Sequence, residues 1–168
     1  TATAADGNKT ECRKATQKEA VLSTEQKDNG HRWVKARIRI EAAPHVVWET
    51  VHEERSKDPE LEYSKVLSHD PATNHLTLEQ KFSVLPVFGT ATCVMKNIEV
   101  PLQRIDYSMI SSDKFKAFEG SWVLSPGAHA NETYLELSSY CDIGLPIPRM
   151  MVEGATGKKL QRRLANVR

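Results

Sequence analysis

The chain has 168 residues, enough for a single domain with a sizeable core. Its 23 basic and 22 acidic residues nearly cancel, which removes any general electrostatic drive toward nucleic acid. No run of eighteen apolar residues occurs, so no helix of this sequence suits a bilayer span. Cys12, Cys93 and Cys141 are odd in number and lack CxxC spacing, which argues against a zinc site and a full disulfide framework.

The first six residues, Thr1-Ala2-Thr3-Ala4-Ala5-Asp6, read equally as the end left by export cleavage or as a shortened chain. Asn8-Lys9-Thr10 and Asn131-Glu132-Thr133 match the glycosylation sequon, a pattern short enough to arise by chance. Residues 1–30 are polar, without apolar periodicity beyond Ala20, Val21 and Leu22. This predicts a loosely held arm ahead of a domain at 31–168.

From Trp33 to Glu41 the chain alternates. Trp33, Lys35, Arg37 and Arg39 fall on one side, with Val34, Ala36, Ile38 and Ile40 on the other, the pattern of a strand with one buried face. Ala43-Pro44 opens a short helix from His45 to about Glu54, burying Val47, Trp48 and Val51, and Ser56-Lys57-Asp58-Pro59 breaks it. Strand patterns follow at Leu61–Ser68, His75–Val84, Thr90–Val100, Gln103–Ile110, Phe115–Leu124 and Glu132–Asp142. The short Gly-, Pro- and Asn-bearing connections between them suit an antiparallel meander.

Pro148 suits the start of a last, longer helix. Met150, Gly154, Gly157, Leu160, Leu164 and Val167 recur at helical spacing on one side of it. Lys158, Lys159, Arg162, Arg163 and Arg168 fall on the opposite side, which reads as solvated. A glycine inside a helix costs about 1 kcal/mol against alanine, so Gly154 and Gly157 predict a close approach or open space beneath the helix. An antiparallel sheet of seven strands needs one apolar face covered, and this helix is the element long enough to do it. The expected class is α+β: a curved seven-stranded sheet around a long C-terminal helix.

Three stretches give this order a family likeness. Ala43-Pro44-His45-Val46-Val47-Trp48 after the first strand resembles the opening signature of SRPBCC domains, the superfamily of START lipid-transfer domains and polyketide cyclases/dehydrases. Phe118-Glu119-Gly120-Ser121-Trp122-Val123-Leu124-Ser125-Pro126 resembles the superfamily's Gly-Trp strand, and Leu145-Pro146-Ile147-Pro148 its entry to the final helix. The resemblance covers residues 33–168. It implies a helix-grip fold enclosing an elongated apolar cavity for a lipid, quinone or polyketide-like ligand; some members catalyse cyclisation or dehydration and many only bind.

On that basis the expected cavity wall comprises Leu78, Phe82, Cys93, Met95, Tyr107, Met109, Phe118, Trp122, Leu135, Leu137, Met150 and Met151, with Gly154 and Gly157 leaving room. Taken singly, each of these residues reads more readily as core filling. Leu85, Val87 and Phe88 at an unexpectedly apolar hairpin tip, together with Leu145 and Ile147, form an expected rim, with peripheral membrane contact as one use. Gln80, Asn97, Arg104, Asp106 and Tyr107 are the polar groups on central strands that could point inward, and Arg104 and Asp106 equally suit an exposed strand pair. None of these matches a catalytic motif, and the six histidines show no metal-ligand spacing, so no catalytic residue, metal or cofactor is assigned. Cys93 and Cys141 fall on strands that should not be neighbours, and no disulfide is expected between them. The reading is therefore a binding protein for a hydrophobic small molecule, with a cyclase or dehydratase and a membrane- or partner-docking module as alternatives.

Overall fold

A computed structural model describes residues 19–83 and 89–168. Its elements run β1 (Val21–Gln26), β2 (Arg32–Ile40), α1 (Pro44–Ser56), β3 (Leu61–Asp70), β4 (His75–Ser83), β5 (Thr90–Val100), β6 (Arg104–Ser112), β7 (Ala117–Pro126), β8 (Thr133–Asp142) and α2 (Arg149–Val167). Among the described residues the sheet has eight strands rather than the seven expected. The additional one is β1, whose Val21–Gln26 was assigned above to the polar arm. Its apolar content is too thin to signal a strand. It is held by its pairing with β2 and by Lys35, which bridges Glu25 at 2.7 Å and Glu136 at 2.9 Å.

The strands lie in the order β1-β2-β8-β7-β6-β5-β4-β3, every neighbouring pair antiparallel. β3 to β8 form the meander, and the chain crosses the full width of the sheet once, through α1, between β2 and β3. Turn chemistry closes the hairpins. Asp70 accepts from Ala72 N at 3.0 Å and from the Thr73 hydroxyl at 2.9 Å, and Asn74 takes a left-handed φ of 52°.

The two helices divide the concave face unequally. α2 packs on β1, β2 and β8, while α1 packs on β7 and α2. Leu160, Leu164 and Val167 of α2 meet Val34, Ala36 and Leu137 of the sheet and Val47 and Val51 of α1 in one buried cluster. A second cluster around Phe82, Cys93, Met95 and Phe115 lies on the β4–β7 side. Among the described residues no helix lies along the concave face of β4, β5 and β6. That leaves space between the sheet, the end of α1 and the flank of α2.

Candidate functional site

That space is a cavity of about 500 Å³. Leu78, Phe82, Met95, Phe118 and Trp122 supply its apolar wall from β4, β5 and β7. Leu78 and Phe82 sit where strand alternation turns them inward, between the polar pairs Thr77/Glu79 and Lys81/Ser83. Phe82, Phe115 and Phe118 pack ring against ring at centroid separations of 5.5–5.7 Å, and Tyr107 joins Phe118 at 5.6 Å.

Tyr107 is positioned by a glycine. Its hydroxyl donates to the Ser138 carbonyl at 2.9 Å, reaching across β7 at Gly120, its register partner. A Cβ at Gly120 would stand 2.2 Å from the Tyr107 hydroxyl and 2.1 Å from Ser138 O, so only glycine leaves the ring its path. Burial pushes the phenol pKa up. Gly120 therefore marks a close crossing within the sheet.

The opposite end of the cavity is polar. Arg163 of α2 forms a bidentate pair with Glu54 of α1, Nε to Oε1 at 3.1 Å and Nη2 to Oε2 at 2.9 Å, and Asp58 stands 3.7 Å away. Its guanidinium also lies over Trp122 at 5.1 Å. Burial alone would lower the Arg163 pKa, but the Glu54 bonds and charge outweigh it and raise the pKa. Arg55 lines the same cavity, with Nη1 3.7 Å from Glu99. With the Asn97 amide turned to bring its oxygen inward, Arg55 Nη2 donates to it at 2.7 Å. Burial pulls the Arg55 pKa below the ordinary guanidinium range; Glu99 opposes this, and nearby Arg163 adds to it. His52 completes the wall, with Nε2 3.0 Å from Glu99.

Of the residues singled out from the sequence, Leu78, Phe82, Met95, Tyr107, Phe118 and Trp122 line this cavity, as do the polar Gln80 and Asn97. Cys93 and Met109 belong to the adjoining cluster, and Leu135 and Leu137 lie in the packed core that includes α2. Leu145 and Ile147 line a separate groove of about 190 Å³ at the start of α2. Met150 and Met151 are 84% and 65% exposed and line neither. Gly154 faces open space, whereas Gly157 meets Leu22 of β1 at 3.1 Å from a built Cβ. The glycines thus leave no chamber beneath α2; one admits β1 and the other faces outward. Leu85, Val87 and Phe88 lie outside the described residues.

Arg104 and Asp106 form the exposed strand pair, at 2.7 and 2.9 Å. Cys93 and Cys141 are free thiols, both with pKa pushed up by burial. Among the described residues no three metal-ligating side chains converge, and no helix is long and apolar enough to cross a membrane.

Asn97 was among the expected inward groups, but the charged residues at this end, Arg55, Glu99, Arg163 and Glu54, were not anticipated. Arg163 was placed on the solvated side of α2, yet it turns toward α1. One signal was present: Glu54 falls seven residues after Val47 on the apolar stripe of α1, and a carboxylate there requires a cation opposite.

An antiparallel sheet wrapped on a C-terminal helix, with a cavity between them, is a helix-grip fold. Within it the chain belongs to the family described as polyketide cyclase / dehydrase and lipid transport, whose model matches residues 40–168. Solved structures share the fold at low identity. A START superfamily protein from Mycobacterium smegmatis superposes with a TM-score of 0.67 at 18% identity, over 82% of this chain and 94% of that one. The lipid transfer and protein localization domain of human StarD13 gives 0.65 at 13% identity, over 89% and 87%. The Zhui aromatase/cyclase from Streptomyces sp. R1128 gives 0.57 at 18% identity, over 81% and 83%. No curated protein matches the sequence.

Proposed function

We propose that the protein binds a hydrophobic small molecule, of lipid, quinone or polyketide type, in the cavity of about 500 Å³ between β4–β7, α1 and α2. One observation carries this reading: Leu78, Phe82, Met95 and Phe118 face a space that neither helix fills. Its volume falls within the range of small-molecule sites. Burying apolar ligand surface there contributes about 25 cal/mol per Å². The family description, which includes lipid transport, and the lipid-transfer neighbour support the same reading.

Native mass spectrometry of the purified protein, followed by solvent extraction, tests it. An apolar molecule should co-purify, and Leu78→Trp, which fills the space, should exclude it. Equal ligand retention in Leu78→Trp would move the binding site elsewhere.

A cyclase or dehydratase reading is favoured by His52, Glu99 and Arg55 standing on the wall of the same cavity. Turnover of a linear polyketide mimic, lost in His52→Gln, is its test. Peripheral membrane contact is supported by Leu145, Met150 and Met151, exposed together around the start of α2. Liposome flotation that survives Met150→Ser/Met151→Ser would count against it.

A further inference from the structure

The two arginines of the cavity are not equivalent. Arg163 is already paired: Glu54 takes the Nε–Nη2 edge of its fork, and Asp58 lies 3.7 Å from Nε. Arg55 is not so held. Among the described residues its hydrogen bond goes to Asn97, and Glu99 at 3.7 Å lies beyond hydrogen-bonding distance. Its remaining donors border the cavity.

Glu99 is meanwhile drawn toward His52. The His52 Nδ1 lies 3.0 Å from the Trp48 carbonyl, and Nε2 lies 3.0 and 3.2 Å from the two Glu99 oxygens. One carboxylate thus faces both His52 and Arg55, and the one held less closely is Arg55. The buried amide of Asn97, 2% exposed, props the guanidinium from the sheet side.

We infer that Arg55 is the anchor for the carboxylate of an amphipathic acid whose apolar body lies against Leu78, Phe82, Met95 and Phe118. This rests on the cavity reading above and adds the chemical class of the ligand's polar end. A planar guanidinium suits a carboxylate because two parallel N–H bonds can form, and a desolvated setting strengthens them. A neutral ester offers the same apolar body without the charge.

The test is equilibrium binding of cis-parinaric acid and of its methyl ester, read by their fluorescence enhancement in the intact protein. The wild type should bind the acid about tenfold or more tightly than the ester, the scale of a hydrogen bond to a charged group. In Arg55→Met the preference should fall to within about twofold, and Arg55→Lys, which keeps the charge but loses the fork, should lie between. Glu99→Gln should raise the acid-over-ester preference, because it removes the internal carboxylate that competes for Arg55. A purely structural Arg55 would give no such gain. Equal binding of acid and ester by the wild type overturns the anchor and leaves the cavity reading standing. Binding of neither overturns the cavity reading and the anchor with it. Should Arg55→Met not fold, Glu99→Gln decides: an unchanged or weaker preference for the acid overturns the inference.

Discussion

Replacing Gly120 by alanine tests the crossing that shapes the cavity wall. The new methyl would stand 2.1 Å from Ser138 O, 2.2 Å from the Tyr107 hydroxyl and 2.4 Å from its Cζ. The carbonyl belongs to the β7–β8 ladder and cannot retreat without loosening that ladder, so the phenol must leave. Overpacking costs about 1–3 kcal/mol, and separating the buried hydroxyl from Ser138 O adds about 1–2 kcal/mol. The sum, about 2–5 kcal/mol, is a large share of the stability of an ordinary domain. At about 2–4 °C per kcal/mol for a chain of this size, the melting temperature should fall by roughly 10 °C. Urea unfolding of Gly120→Ala, Tyr107→Phe and the double variant separates the contributions. Tyr107→Phe alone should cost about 1 kcal/mol. Alanine at 120 should remain costly in that background, because the contacts with the ring carbon and the carbonyl persist. A loss below about 1 kcal/mol for Gly120→Ala would show that the ring slips aside freely and would refute this account of the glycine.

Three further outcomes follow from the same structure. Gly154→Ala, facing open space within α2, should stabilise by about 1 kcal/mol, whereas Gly157→Leu should destabilise by displacing Leu22; thermal melts that rank them the other way would reverse the placement of β1. Arg163→Met should cost about 3–5 kcal/mol because it strands the Glu54 carboxylate, whose side chain is 5% exposed, and adding Glu54→Leu should recover most of that loss in urea. Hydrogen bonds from Lys35 and then Lys27 hold Glu25 at a pKa of about 2, below its ordinary 4.5. A depressed folded-state pKa contributes stability above pH 4.5 that is lost as pH falls toward 2. Glu25→Gln should therefore lower the melting temperature slightly at pH 7 and not at pH 2, the effect being small because solvent screens the exposed pair. An equal loss at both pH values would remove the ion pair as its cause.

Much of the fold was legible because strand alternation is a local signal. Val34, Ala36, Ile38 and Ile40 announce β2 whatever lies elsewhere, and Leu78, Phe82, Met95, Phe118 and Trp122 are inward residues of the same kind. β1 was not legible, since Val21–Gln26 is a strand only through what β2 and Lys35 supply. Helical spacing placed Met150, Gly157 and Leu164 on one side of α2 and was silent on where the sheet ends. Leu164 is fully buried, whereas Met150 is 84% exposed. The same ambiguity put Arg163 in solvent until α1 brought Glu54 against it. Periodicity in a sequence states which side chains share a face. What stands opposite that face, whether a strand, a counter-charge or an unfilled space, is a property of two elements distant in the chain, and only their packing decides it.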